Sequence, residues 1–248
     1  MNNKEYILNK IMNTDVSDYP WKHLIIKDFL PPNLYNGIKQ EILPYTEDAH
    51  LRREQVRAFH IFANQSVGVM PEPDTPILLE YYNILLDESI FNAIKSKLPI
   101  SDFSESQRAE DFYSELNFFT RGFNYGEVHP DRSDKLISMI HYLAEEDDDE
   151  SLGTFLYSPD KDGSDLDVFK DKLKTAPYIS NCACLFAPYD TPQLKTNHCM
   201  ANNSSTTFLR SSFINTWMRE KSDETKDPQS GRIRLPRLKS NEQNISNN

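Results

Sequence analysis

What this 248-residue chain lacks narrows its class before any motif is read. Three cysteines are too few for a disulfide scaffold. Two of them, Cys182 and Cys184, flank Ala183 on what reads as one strand face. Reduced structural thiols suit an intracellular protein, so the expected location is cytoplasmic. The opening Met1-Asn2-Asn3-Lys4-Glu5 leads into no apolar run of signal-peptide length, and no segment approaches a membrane span. Positive charge is short: 27 Lys and Arg stand against 38 Asp and Glu, for a net charge of −11. That balance works against non-specific binding to nucleic acid or an anionic membrane, so neither is expected as a partner. No internal repeat is visible. The acidic run Asp147-Asp148-Asp149-Glu150 lacks the spacing and glycine of a calcium loop and reads as a solvated turn.

What is present suits one β-rich domain. Hydrophobic residues make up a modest 38%, but 14 Phe and 12 Tyr can fill a core and line a pocket. The length allows one domain with decorations and a sizeable core. Residues 1–18 form a polar segment with a short helical tendency. A strand is expected near 22–28. A helix follows near 32–42, opened by Pro31-Pro32 and carrying Leu34, Ile38 and Ile42 at helical spacing. Alternation in Val56-Arg57-Ala58-Phe59-His60-Ile61-Phe62 places a strand within 50–70, and 76–98 reads as one or two helices. From 112 short strands recur with turn signals. Residues 158–176 read as a charged loop. The tail 220–248 has little to bury and is expected to be disordered. The fold expected is mainly β: a double-stranded β-helix, a jelly-roll of cupin type, spanning about 112–219 within a domain of 19–219 and buttressed by N-terminal helices.

Two distant segments carry the chemistry. One is Glu127-Val128-His129-Pro130-Asp131. The other is Asn197-His198-Cys199-Met200, followed by Leu209-Arg210-Ser211-Ser212. Side chains two apart on an extended chain share a face, so His129 and Asp131 can reach one ion while Pro130 points away. His198 lies 69 residues further on, and Arg210 another 12. These two are expected on adjacent antiparallel segments facing one cavity. Two His and one Asp can occupy a triangular face of an octahedral metal and leave positions open for chemistry. A guanidinium can hold a far carboxylate through two parallel hydrogen bonds, and Ser212, two residues from Arg210, can add a hydroxyl. Asp134 could compete with Asp131, but its separation of five from His129 puts it on the other strand face. His23, His50 and His60 read as surface or core residues, and His141 as packed or adjacent to the site. Arg52, Arg53 and Arg57 are candidates for the site entrance.

At this point the chain resembles the 2-oxoglutarate- and iron(II)-dependent dioxygenases, within them the prolyl 4-hydroxylase-like branch. The resemblance rests on His129-x-Asp131, His198 and Arg210-x-Ser212. It is supported by Phe123-Asn124-Tyr125-Gly126, Ile140-His141-Tyr142-Leu143, Gly153-Thr154-Phe155-Leu156-Tyr157 and Leu185-Phe186-Ala187-Pro188. It implies an iron(II) centre held by His129, Asp131 and His198, with 2-oxoglutarate and O2 as cosubstrates and ascorbate as a reductant. It further implies that Arg210, Ser212, Tyr125 and Tyr142 bind the cosubstrate. The reaction implied is hydroxylation of an unactivated C–H bond of a prolyl, peptidyl or small-molecule substrate, with release of succinate and CO2. In halogenating relatives a small residue replaces the carboxylate, so Asp131 points to hydroxylation. Two other classes stay open: a non-catalytic jelly-roll binding module, and a zinc or manganese hydrolase on a cupin-like shell. Oligomeric state is not readable.

Overall fold

The computed structural model describes residues 1–51, 75–98, 111–119, 127–132, 134–191, 193–200 and 210–218. The expected strand within 50–70, Arg52, Arg53, Arg57, Tyr125 and the tail 220–248 lie outside the described residues.

Among the described residues four α-helices precede most of the strands. Helix α1 spans Asn3–Asn13 and opens with a capping box: Glu5 N donates to Asn2 Oδ1 at 2.8 Å, and Asn2 N to Glu5 Oε2 at 3.0 Å. Helix α2, Pro32–Leu51, runs past its expected end through Pro44. The proline forfeits a bond to the carbonyl at exposed Gln40, where water can replace it. Helices α3, Pro76–Leu86, and α4, Glu88–Lys97, follow. The Glu41 carboxylate of α2 accepts from Ile77 N at 2.9 Å and Leu78 N at 2.7 Å. One side chain thus satisfies two otherwise unpaired N–H groups of α3 and ties the two helices together. Among the described residues no helix is long and apolar enough to cross a membrane.

The strands are β1 His23–Ile26, β2 Asp111–Phe119, β3 Lys135–Tyr142, β4 Thr154–Leu156, β5 Lys174–Ala176, β6 Cys182–Phe186, β7 Asp190–Thr191, β8 Leu194–Lys195, β9 His198–Met200 and β10 Arg210–Met218. Five form a sheet in the order β1-β6-β3-β10-β2, and three a smaller one in the order β5-β4-β9; β7 and β8 make a hairpin. The named pairings are all antiparallel.

Residue parity separates the two faces of the larger sheet. Leu116, Phe118, Ile137, Met139, Leu185 and Phe213 pack in one core with Ile7, Leu34, Ile38, Tyr81, Leu85 and Ile94 of the helices. Ile140, Tyr142, Cys182, Cys184 and Phe186 point the other way and pack with Leu156 and Ala176 of the smaller sheet. The larger sheet is therefore a wall between a helical layer and a second sheet. All three cysteines are buried and unbridged, and burial pushes the Cys182 thiol up to about 12.

Candidate metal centre

The two histidines meet through their main chains. His129 N donates to His198 O at 3.1 Å, and His198 N donates to His129 O at 3.0 Å, an isolated antiparallel bridge. Directly paired residues point to the same side, and the imidazole centroids stand 4.8 Å apart. Each ring is oriented by a backbone carbonyl two residues upstream: His129 Nδ1 lies 2.9 Å from Glu127 O, and His198 Nδ1 lies 2.8 Å from Thr196 O. An Nδ1–H donated to a carbonyl leaves the lone pair on Nε2, the tautomer a metal needs. Phe186 stacks edge-on against His198 at 4.8 Å and closes its other side. Burial pushes His198 down to about 4, so the ring is neutral at physiological pH.

Asp131 completes the group. Its Oδ2 lies 4.0 Å from His198 Nε2. Ser138 Oγ donates to Oδ2 at 2.6 Å, and the Lys135 ammonium pairs with Oδ1. Burial pushes this carboxyl up, but Lys135 and the hydrogen bonds from Lys135 and Ser138 outweigh it and hold it at about 2. The carboxylate is therefore ionised throughout the physiological range. One ligand atom each from His129, Asp131 and His198 all lie within 4.8 Å of one another. Two ligands of one divalent ion stand at most about 4.2 Å apart, twice a bond of about 2.1 Å. On one triangular octahedral face, where neighbouring ligands stand about 3.0 Å apart, the widest pair would close by about 1.8 Å to bring all three to one centre. Two imidazoles and one carboxylate suit a borderline first-row ion better than calcium or magnesium, which prefer oxygen alone.

Arg210 is buried on the same face of the larger sheet. Its Nε donates to Leu152 O at 2.9 Å and its Nη1 to Met200 Sδ at 2.6 Å. The guanidinium carbon lies 5.4 Å from the Tyr142 ring and 5.6 Å from the Tyr178 ring. Burial lowers the Arg210 pKa, and the two tyrosines oppose that shift. Ser212 is fully buried two residues along, and its Oγ has no hydrogen-bond partner among the described residues. Tyr142 donates to Thr154 Oγ1 at 2.7 Å, and its hydroxyl is also hydrogen-bonded to Arg210.

Of the residues singled out in the sequence, His129, Asp131 and His198 come together, with Arg210, Ser212 and Tyr142 on the larger sheet's inner face. Tyr125 lies outside the described residues. One expectation is corrected. His198 and Arg210 are not on neighbouring strands: β9 pairs with β4 in the smaller sheet, while β10 pairs with β2 and β3 in the larger. They lie in different sheets, His198 in the smaller and Arg210 in the larger. His141 is part of the helix-side core, 5.4 Å from the Phe29 ring, and not next to the ion site. Asp134 pairs with Arg132. Sequence reasoning missed Lys135, Ser138 and Met200. Met200 was readable from its two-residue offset from His198; the carbonyls of Glu127 and Thr196 leave no side-chain signal.

No family model matches the chain, and no curated protein matches it in sequence. Among solved structures it is similar to a Pseudomonas putida prolyl-4-hydroxylase, with 14% identity and a TM-score of 0.48, over 88% of this chain and 95% of that one. It is similar to a Trichoplax adhaerens prolyl hydroxylase solved with a hypoxia inducible factor peptide fragment: 12% identity, TM-score 0.49, over 87% and 89% of the two chains. It is also similar to a rice dioxygenase for auxin oxidation: 10% identity, TM-score 0.47, over 79% and 73%.

Proposed function

We propose that this chain is an iron(II)- and 2-oxoglutarate-dependent dioxygenase that hydroxylates a C–H bond of a prolyl, peptidyl or small-molecule substrate. The reading assigns the chemistry to residues 19–219, with a double-stranded β-helix as the shell. The observation that carries it is the convergence of His129, Asp131 and His198 to within 4.8 Å, from segments 69 residues apart. When bound there, iron(II) with O2 and 2-oxoglutarate supplies the oxidant that turns C–H into C–OH, leaving succinate and CO2.

The chain's own residues do the positioning. His129 and His198 offer Nε2, and Asp131 offers Oδ2, on one side of the ion, which leaves the opposite side for ligands. Ser138 and Lys135 hold the carboxylate in place. The Arg210 guanidinium, set against the Tyr142 and Tyr178 rings, anchors the far carboxylate of the 2-oxo acid, and Ser212 donates a hydroxyl. The buried walls exclude water. A buried guanidinium beside a two-His, one-carboxylate set supports this reading over a cupin-like hydrolase, which has no use for Arg210. A non-catalytic module has no use for two imidazoles and an ionised aspartate converging within 4.8 Å.

Under anaerobic conditions, iron(II) plus 2-oxoglutarate should give a weak visible charge-transfer band in the wild type and none in His198→Ala. A well-metallated wild type without the band would sink the reading. A succinate-release screen against proline-containing peptides, free amino acids and lysate fractions then sorts the substrate classes.

A further inference from the structure

The guanidinium that would hold the dicarboxylate already donates to a methionine. We propose that Met200 is a displaceable cap on Arg210 that sets which 2-oxo acids the site accepts. This rests on Arg210 being the anchor of the 2-oxo acid.

Met200 follows His198 by two on β9, so its side chain leaves the strand on the same side as the ligand imidazole. Its register partner on β4 is Thr154, as Leu156 is that of His198. From there its thioether reaches across the gap between the sheets to Arg210 Nη1 at 2.6 Å. The guanidinium itself is held by Leu152 O and by the two tyrosine rings. The moving part is therefore the methionine, with three rotatable bonds and no branching.

The chemistry of exchange favours the ligand. A thioether is a neutral, weak acceptor. A carboxylate accepting from a guanidinium makes a charge-assisted bond roughly twice as strong as a neutral one. A carboxylate arriving at Nη1 thus gains more than the departing sulfur loses. Ser212 Oγ is an independent sign of the same ligand: it is fully buried, on the same strand face as Arg210, and has no partner among the described residues. It can donate to an acceptor placed beside the guanidinium. The cap thus covers the charge in the ligand-free protein and gives way to a carboxylate. Because Met200 also fills space at the anchor, it limits the length of the acid.

The test uses the full chain loaded with Mn(II), which binds without turnover, and 2-oxoglutarate or 2-oxoadipate as probes. With methyl-13C methionine, the Met200 signal is the one of six lost in Met200→Leu. It should shift on adding 2-oxoglutarate. Met200→Leu keeps the volume but cannot accept a hydrogen bond, so calorimetry should show 2-oxoglutarate binding about three- to tenfold more tightly. Met200→Ala should bind it more tightly too and cut the discrimination against 2-oxoadipate by about tenfold. A stationary methyl signal, or both variants within about twofold of wild type for 2-oxoglutarate, overturns the cap. A wild type that binds no 2-oxoglutarate, or an Arg210→Ala that binds it equally well, overturns the anchor and the cap together.

Discussion

The two faces of the five-stranded sheet treat buried polar groups in opposite ways. On the helical side they form a closed relay. Ser114 Oγ donates to Asn215 Oδ1 at 2.6 Å, and Asn215 Nδ2 donates to the Tyr81 hydroxyl at 3.0 Å. That hydroxyl meets His141 Nδ1, and His141 Nε2 meets Asn181 Oδ1, each at 3.3 Å. Asn181 then clasps Leu30 through both its main-chain groups, from a left-handed backbone at φ 54 that asparagine tolerates. On the opposite side Ser212 Oγ, Thr216 Oγ1 and Asn117 Nδ2 are buried without a hydrogen-bond partner among the described residues. Each such orphan costs about 1–3 kcal/mol. Polar groups on the helical face therefore serve packing, while those on the inner face are left uncompleted by the protein beside Arg210 and Asp131. The sheet concentrates its instability where a ligand can relieve it.

The largest effect expected is on the inner face. His198→Ala should abolish tight Mn(II) or iron(II) binding while the protein stays folded, as read by metal titration beside circular dichroism. Loss of the fold with the metal would erase the distinction between the faces. Next comes the hinge between the sheets. A Cβ on Gly153 would lie 1.7 Å from Ala176 O, so Gly153→Ala should break the β4–β5 pairing and cost about 3 kcal/mol in chemical denaturation.

Acid should act on both faces of the sheet. Burial lowers His141 on the helical side, and His23 and His198 on the other, to about 4, below the ordinary 6.5. Between those values the unfolded chain binds protons that the fold refuses, so stability is full above pH 6.5 and falls as pH drops towards 4. His141 alone should account for about 3 kcal/mol by pH 4. His141→Phe, which leaves Tyr81 bonded to Asn215 and Asn181 bonded to Leu30, should remove about a third of the slope the three histidines share. An unchanged slope would place the acid sensitivity elsewhere. Two smaller substitutions compare the faces directly. Asn215→Ala orphans partners in the relay and should cost about 2 kcal/mol. Ser212→Ala deletes a group that is already an orphan and should leave the unliganded protein within about 0.5 kcal/mol of wild type, or more stable. Equal costs at the two positions would refute the contrast.

The convergence of His129, Asp131 and His198 was legible because each residue arrives in a pattern: His129 and Asp131 share parity, and His198 stands before the Arg210-x-Ser212 strand. The N-terminal helices were legible from Leu34, Ile38 and Ile42 at helical spacing. What escaped was set by pairing over long separations. Strands β5 and β9 are three residues each, too short to carry a period, and Lys174–Ala176 lay inside a stretch read as loop; β4 was legible only through the family resemblance of Gly153–Tyr157. Without them the sheet change between His198 and Arg210 was invisible. The side on which His141 falls could be settled only by packing, since Ile140 and Tyr142 on one face and Met139 on the other are equally apolar.

The reciprocal peptide bonds between His129 and His198 have a consequence for how such a molecule can diversify. The spacing of the two imidazoles is dictated by main-chain pairing and owes little to neighbouring side chains. Mutational drift across the surrounding walls can thus reshape the space around the two rings without moving them apart.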